Sequence, residues 1–302
     1  MLFSLLPQLS SIDELIIVDD CSTDNSLETI SDLQAGNLRI IRMQTNSGPA
    51  SARNAGVAEA NGTHILFFDA DDIPHPSMLS TLRIAIQKHQ LEDIFSFKIA
   101  YEARGEWQMN GHEDATICDA IKVLPVNSFA SSALHGKPLC TASSTCVSKV
   151  AFNAVSGFSE KLRYCEDPEL WVRMSARYKI VYINRALAVY RDVSGSLSYA
   201  LREAPGSVHA YVQTLLQLDA GMCGVYKQLA KSVIRKNIIF SLAVGGARDN
   251  VNTYMILVAP LFDRIELFFL KKLLLHAPKV FIQLILKARV LIRKRFLLTS
   301  YE

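Results

Sequence analysis

The sequence predicts an α/β fold in which a doubly wound sheet is followed by a helical region. Short apolar segments rich in β-branched residues alternate with segments of helical pattern through roughly the first 200 residues. Acidic clusters follow directly after two of the apolar segments, and open α/β sheets bind ligands beyond the carboxyl ends of their strands. From about residue 205 the pattern is helical to the end. These three observations predict a ligand site on the α/β part of the chain.

Six segments have the composition of strands bounded by turn residues. They are residues 12–18, 38–43, 64–68, 95–103, 140–147 and 180–190, and the first and third are predicted to be buried. Because helical segments alternate with them, parallel pairing through right-handed crossovers is expected.

Helices are predicted between these strands, at residues 24–33, 49–60, 77–89 and 168–178. Pro49 suits the first turn of its helix, because a residue there needs no N–H donor. Gly62 is expected to be the left-handed residue that ends the same helix.

The composition is that of a folded protein whose main partner is not nucleic acid. Hydrophobic residues make up 50% of the 302 residues, which supports a sizeable core and argues against disorder. The net charge of +3 is small for a protein that binds nucleic acid. We expect two domains, residues 1–204 and a helical, basic and apolar region at residues 205–302.

The cysteines and the first residues predict a cytoplasmic location. The six cysteines include no Cys-x-x-Cys pair and no accompanying His cluster, so they argue against zinc and disulfide frameworks and for free thiols. The first 14 residues, MLFSLLPQLSSIDE, have no basic start and no small-residue cleavage site, so they are not interpreted as a signal peptide.

The last residues combine positive charge with apolar runs. Residues 264–302 contain nine Lys or Arg and two acidic residues, a net charge of +7, which leaves −4 on the rest of the chain. The apolar runs are too short for a spanning helix, so amphipathic helices on the anionic inner face of the membrane are expected. The alternative is a helical subdomain packed on the catalytic core or on a second subunit.

Acidic residues stand at three predicted strand ends or helix starts. They are Asp19-Asp20, Asp69 with Asp71 and Asp72, and Glu166-Asp167, with Asp24 as a weaker addition. Each group alone would also fit a solvated loop or compensation of helix charge. Asp69-x-Asp71 offers the carboxylate oxygens that Mg²⁺ or Mn²⁺ shares with substrate phosphates, and the Glu166-Asp167 pair could supply a general base.

Five strings in order resemble the family 2 glycosyltransferases, which share the GT-A fold. They are IIVDDCSTDNSLE, NSGPASARNAG, ILFFDADDIPHPSML, GFSEKLRYCEDPELWVRM and YRDVSGSLS. The resemblance covers roughly residues 1–200 and implies a Rossmann-like, doubly wound mixed sheet. It also implies inverting sugar transfer from a nucleotide-diphosphate donor to a saccharide or lipid-linked acceptor, in cell-surface polysaccharide or glycolipid synthesis.

The resemblance implies roles for the residues that bind the donor and the metal. Asp19 and Asp20 would contact the donor base, with Asp20 preferred, and Arg53 would lie close to the donor nucleotide. Asp69 would lie near the ribose and the cation. Asp71 would bind the cation, Mg²⁺ or Mn²⁺.

The same resemblance makes Asp167 the catalytic base, with Glu166 as its neighbour in the motif. Asp167 would deprotonate the acceptor hydroxyl, which is a poor nucleophile without such help. Trp171 lies close by in sequence and is expected either in the core or against the acceptor.

Two departures from the family pattern lead to an alternative function. Family members normally begin with another apolar strand, whereas MLFSLLPQL falls where their first helix is already under way, so we expect the domain to lack that strand. Val193 stands where many relatives carry a His near the metal and diphosphate. The alternative is a truncated, weakly active or non-catalytic protein of this fold that binds a partner or a membrane.

Two other classes with acidic clusters fit less well. A response-regulator receiver domain needs a Lys after its last strand and leaves Glu166-Asp167 unexplained. A haloacid-dehalogenase-type phosphatase expects its Asp-x-Asp after the first strand, followed by a small residue and Thr or Val, whereas Asp72-Ile73 follows here.

Overall fold

The protein is described by a computed structural model that covers residues 1–30, 37–102, 120–191, 205–219 and 224–244, together with Lys272. The chain divides into two compact units, Met1–Ser196 and Leu197–Glu302. Each unit is described by itself below.

The first unit alternates strands and helices in the way that the sequence predicts. Its strands are β1 (Leu15–Asp19), β2 (Leu38–Arg42), β3 (His64–Leu66), β4 (Ile73–Pro74), β5 (Ile94–Tyr101), β6 (Ile121–Leu124), β7 (Thr145–Ser148) and β8 (Ile180–Tyr190). Its helices are α1 (Leu2–Leu5), α2 (Pro49–Glu59), α3 (Met78–Lys88), α4 (Ser128–Leu134), α5 (Lys149–Ala154) and α6 (Glu166–Ser175). Short 3-10 turns cover Leu6–Gln8, Glu28–Ile30 and Ala142–Ser144.

The strands form a parallel pair and a larger mixed sheet. Strands β1 and β2 pair in parallel, and six strands form a second sheet in the order β3-β7-β5-β8-β4, with β6 also paired to β8. In the second sheet β5 and β8 are parallel, while the other pairs are antiparallel. The mixed doubly wound sheet is therefore confirmed. Parallel pairing throughout is wrong, because hydrophobic periodicity identifies a strand but not the direction of its partner.

Several predicted element ends shift for local reasons. Strand β7 begins at Thr145 rather than at residue 140, because the side chains of Thr141 and Ser144 cap the 3-10 turn before it. Helix α6 begins at Glu166, two residues before its predicted start at Pro168. Of the helix predicted at residues 24–33, the described part shows only the 3-10 turn Glu28–Ile30, and residues 31–36 lie outside the described residues.

Helix α2 does not end on a left-handed glycine. Ala60 follows the helix with extended backbone, and the next two N–H groups, of Asn61 and Gly62, donate to the Glu14 carboxylate at 2.5 and 2.8 Å. A side chain thus satisfies the donors that follow the helix. The prediction that Gly62 is the C′ residue is wrong.

The main core of the first unit lies between α3 and the large sheet. Its largest side chains, Met78, Phe95, Phe97 and Ile183, are almost fully buried. Strand β1 differs from the expected buried strand, because its apolar residues are only partly buried. Within the described part of the chain β1 pairs on one side only, with β2, while α2 approaches it closely.

The second unit contains two described helices, α7 (Pro205–Asp219) and α8 (Val225–Val244), which pack against each other. The buried side chains include Tyr211, Val212, Leu215, Tyr226 and Leu229. Among the described helices none is long and apolar enough to cross a membrane. The basic segment at residues 264–302 lies outside the described residues except for Lys272.

Candidate active site

Two acids lie at the carboxyl end of β1, Asp19 as its last residue and Asp20 directly after it, and both bind nearby loops. Asp19 is buried, and its carboxylate accepts from the Ser22 N–H at 3.1 Å and pairs with Arg42 at 3.5 Å. The partly buried Asp20 carboxylate accepts from the backbone N–H groups of Ser47 and Gly48, at 2.8 and 2.7 Å. Asp20 therefore fixes the loop from which α2 begins.

The Asp69–Asp72 turn after β3 is fastened to the rest of the sheet by Ser143. The Asp69 N–H donates to Ser143 Oγ at 3.0 Å, and the Ser143 hydroxyl hydrogen-bonds to the Asp72 carboxylate. The turn closes through a 3.1 Å hydrogen bond from the Asp72 N–H to the Asp69 carbonyl. Arg191 adds two bonds, from its N–H to Asp72 at 3.3 Å and from its guanidinium to the Asp71 carbonyl.

Asp72 is the buried acid of this turn, with 1% of its surface exposed. Burial raises its pKa to about 6, and the charges of Asp69 and Asp71 act in the same direction. The sequence alone predicted Asp72 only as a member of the acidic group that it forms with Asp69 and Asp71. The available signal was its place between the acidic triplet and the partly buried strand β4, where a carboxylate needs hydrogen-bond partners.

Arg53 on α2 brings the predicted donor side and the predicted catalytic side together. Its Nη2 donates to Asp69 Oδ1 at 2.8 Å and its Nη1 donates to Glu166 Oε1 at 2.9 Å. Burial opposes the charged guanidinium, but the carboxylates of Asp69 and Glu166 outweigh it and raise the pKa of Arg53. The Arg53 side chain thus joins Asp69 and Glu166, two residues that the sequence assigned to the same site.

The Arg53 guanidinium rests on an aromatic cluster. It lies 5.4 Å from the centre of the Phe158 ring, a distance at which cation–π attraction contributes. Phe158 contacts Phe67 and Trp171 with ring centres 5.1 and 6.0 Å apart. Trp171 is 1% exposed and is a core residue.

The predicted catalytic pair opens α6. Cys165 precedes the helix with a left-handed φ of 65°, and Glu166 and Asp167 occupy the first turn. Burial raises the pKa of Asp167 to about 7, with the negative charge of Glu166 adding to the effect and Arg53 opposing it. A helix N-terminus favours the ionised carboxylate, so burial is the stronger influence here.

The buried thiols near the site are not activated. Burial raises the pKa of Cys140 and of Cys146 to about 12 and raises the pKa of Cys165 as well. A thiolate is the reactive form of cysteine, so these side chains are unsuited to be nucleophiles at neutral pH.

The two acids predicted to bind a metal lie on the same turn but in different surroundings. Asp69 Oδ1 is engaged by Arg53, while the Asp71 carboxylate makes no hydrogen bond or ion pair with the described residues. Within the described part of the chain no group of three or more His, Cys, Asp or Glu side chains is arranged to hold a metal ion. An all-protein metal cage is therefore absent from that part.

Comparison with known proteins identifies relatives that are named as glycosyltransferases. Residues 1–134 match the family model described as "Glycosyl transferase family 2". The chain is 28% identical over 198 residues to "Glycosyltransferase GlyG" of Streptococcus pneumoniae, a match that covers 64% of this chain and 65% of that protein. It is 26% identical over 243 residues to "Putative teichuronic acid biosynthesis glycosyltransferase TuaG" of Bacillus subtilis, covering 78% of this chain and 90% of that protein. The match to GlyG spans slightly less than two thirds of that protein's length.

A solved structure has the same fold. The structure of S. aureus TarS residues 1–349 in complex with UDP-GlcNAc aligns with a TM-score of 0.65 and 17% identity. The alignment covers 86% of this chain and 75% of that chain. At this identity the likeness concerns the fold.

Proposed function

Because the chain carries a glycosyltransferase family 2 domain on the GT-A fold, we propose that it is an inverting glycosyltransferase that uses a nucleotide-diphosphate sugar. The observation that carries this proposal is the Arg53 bridge. It places Asp69, in the turn after β3, and Glu166, at the start of α6, on one guanidinium at 2.8 and 2.9 Å. Transfer of a sugar from a donor to an acceptor requires the donor site and the catalytic base to lie beside one another.

The nucleotide is assigned to the edge of the sheet that follows β1. TarS, whose fold this chain shares, was solved with UDP-GlcNAc. Asp20 remains the preferred contact for the base because it is partly exposed, whereas Asp19 is buried. Asp69 would lie by the ribose, and Arg53 would face the donor from α2.

Asp167 is assigned as the general base, with Glu166 beside it. The acceptor hydroxyl oxygen attacks the anomeric carbon as the bond from that carbon to the diphosphate breaks, so the configuration inverts. The hydroxyl proton passes to the Asp167 carboxylate, and the electron pair of the broken bond leaves with the diphosphate. A base is most effective with a pKa near the working pH, and burial raises the pKa of Asp167 to about 7.

The residues present fit a divalent cation that is shared with the donor. Mg²⁺ commonly takes one or two protein carboxylates and completes its shell with water and substrate phosphates, so it does not need three protein ligands. Asp71 and the second oxygen of Asp69 would hold Mg²⁺ or Mn²⁺ here. When bound, the cation would neutralise the diphosphate as negative charge develops on it.

The acceptor is assigned to the chemistry of the cell surface. The TuaG relative is named for teichuronic acid biosynthesis, so a saccharide or lipid-linked acceptor in polysaccharide or glycolipid synthesis is proposed. The +7 charge of residues 264–302 supports a place at the inner face of the membrane, where lipid-linked acceptors are available.

Two measurements on the full chain test the proposal. Calorimetric titration with UDP and with GDP, each with and without MnCl₂, tests for a nucleoside diphosphate site that the cation strengthens. Release of the diphosphate from UDP-GlcNAc and other nucleotide sugars, with saccharide acceptors present, tests for transfer. Binding followed by transfer supports the proposal. Binding without transfer favours the non-catalytic alternative, and the absence of any nucleoside diphosphate binding contradicts both.

A further inference from the structure

The loop that leads to the catalytic pair is clamped to α2 by Asn54. Asn54 Oδ1 accepts from the Phe158 N–H at 3.0 Å, and Asn54 Nδ2 donates to the Phe158 carbonyl at 2.9 Å. The same Nδ2 donates to Glu160 Oε1 at 3.0 Å. The side-chain amide therefore binds both backbone groups of one loop residue, as a neighbouring strand would.

Gly157 shows how closely the loop approaches the helix. Its backbone is left-handed, with φ of 62°. A Cβ added there would lie 2.9 Å from Asn54 Oδ1 and 2.9 Å from atoms of the Phe152 ring, which is closer than real Cβ atoms come. A glycine is thus needed for the Asn54 clamp to close.

Helix α2 also holds the far end of the same loop, through Arg53, the residue directly before Asn54. Arg53 donates to Glu166 at 2.9 Å, directly before Asp167. Two successive residues of one helix therefore fix both ends of the segment at residues 157–166. The separation between this segment and the Asp69 turn is set by α2.

We infer that Asn54 is a positioning residue that holds Asp167 at working distance from the donor. The inference rests on the proposed function. A base must come within about 3 Å of the proton that it takes, and a misplacement of about 1 Å can lower the rate about 100-fold. Releasing the loop at Asn54 would leave the nucleotide side, around Asp20 and Asp69, in place.

Substitution of Asn54 by Ala tests the inference. We expect kcat for transfer to fall roughly 10- to 100-fold. The KM for the nucleotide sugar and the affinity for UDP should change little, because neither depends on the loop. Asn153→Ala, at an exposed position of α5, is the matched control and should leave kcat unchanged.

A rescue pair separates the clamp from a general loss of stability. Asn54→Asp keeps the acceptor for the Phe158 N–H but places a second carboxylate beside that of Glu160, so it should also lower kcat. Glu160→Gln alone keeps an oxygen that can accept from Asn54 and should be close to wild type. In the double variant the side-chain amide introduced at position 160 can donate to the new carboxylate at position 54, but the bond to the Phe158 carbonyl stays lost, so we expect this variant to recover only part of the lost kcat.

The thiol of Cys165 reports on the loop without any substrate. It lies next to Glu166 and is partly buried, so release of the loop in Asn54→Ala should raise its alkylation rate several-fold, measured by peptide mapping. Cys146, buried in β7, is the internal reference and should not change unless the fold is lost.

The outcomes distinguish this inference from the proposed function. A wild-type chain that transfers no sugar contradicts the proposed function. An active wild type with equally active Asn54→Ala contradicts only the inference, whatever the alkylation rate. An Asn54→Asp variant that keeps the wild-type kcat, and is folded by thermal unfolding, also contradicts it.

Discussion

Asp167 combines burial with a neighbouring negative charge, and both affect the pH at which the protein should work. Its pKa is raised to about 7, and only the deprotonated carboxylate can accept a proton. We therefore expect kcat/KM for transfer to rise tenfold per pH unit below about pH 7 and to level off above it. Initial rates between about pH 5 and pH 9 would show this limb. A rate independent of pH across neutrality would contradict the assignment.

The variant Asp167→Asn provides the control for that profile. Losing the base should lower transfer by roughly 10²–10⁴-fold while UDP affinity stays nearly unchanged. A carboxyl with a raised pKa in the folded state loses its contribution to stability as pH rises through that pKa, because the ionised form is disfavoured by burial. Asp167→Asn should therefore unfold at a higher temperature than wild type above pH 7, with a smaller difference in acid.

Asp71 offers a separate test of the cation. Its carboxylate has no hydrogen bond or ion pair within the described residues, so replacing it disturbs little of the fold. Asp71→Ala should lower the affinity for UDP in the presence of MnCl₂ by roughly 10- to 100-fold, with a much smaller effect when the metal is absent. Glu59→Ala, which removes an exposed carboxylate at the end of α2, is the control in the same calorimetric titration. Equal loss with and without metal would assign Asp71 to the nucleotide instead.

The loop between α5 and α6 depends on one glycine. Gly157→Ala would force an L-residue into the left-handed region, at about 1–2 kcal/mol, and would press its Cβ against Asn54 and Phe152. We expect the free energy of unfolding in urea to fall by about 2 kcal/mol or more. At Gly62 an added Cβ meets nothing closer than 3.5 Å. Gly62→Ala should therefore change the free energy of unfolding by less than about 0.5 kcal/mol. Similar losses at both positions would contradict the close contact seen at Gly157.

The elements that the sequence predicts well are those whose signals are local. Strand β8 runs over Ile180–Tyr190 as predicted, and α2 begins at Pro49 because a proline fits a helix start. The direction of strand pairing was not predictable from these signals, because it depends on partners distant in the chain. The same applies to the site: Arg53 was assigned near the donor, but its bond to Glu166 joins residues 113 positions apart.

Hydrogen bonds made by side chains explain most of the remaining differences. Thr141 and Ser144 shorten β7, Glu14 takes the donors after α2, and Asn54 clamps a loop. Each of these polar residues is an ordinary surface type in the sequence, and its partner is fixed only when the chain has folded. Family resemblance predicted which acids form the candidate site, whereas the residues that hold those acids in place became visible only in the structure.

Charge is distributed unevenly along the whole chain, and this bears on where the protein acts. Residues 264–302 carry +7 while the remainder carries −4, so an anionic surface would attract this segment and repel the rest of the chain. None of the described helices could span a bilayer. We propose that the basic segment holds the catalytic unit near a membrane-borne acceptor without crossing the membrane.

Vesicle sedimentation with the full chain tests this proposal. Each basic residue near an anionic surface contributes about 1 kcal/mol, and the Leu, Ile and Phe side chains between them add apolar attachment. We expect the chain to sediment with vesicles that contain phosphatidylglycerol, and not with phosphatidylcholine alone. High salt should weaken the attachment, since the Debye length falls from about 10 Å at 0.1 M to about 3 Å at 1 M.

Two variants distinguish electrostatic attachment from a packed structural role. Replacing Arg293, Lys294 and Arg295 together by Gln should reduce sedimentation several-fold while the affinity for UDP stays unchanged. Deleting residues 264–302 should abolish sedimentation and leave UDP binding intact, because the residues of the proposed nucleotide site lie in the first unit. A chain that ignores anionic vesicles, or a deletion that destroys UDP binding, would instead make the basic segment part of the fold, packed on the catalytic unit or on a second subunit.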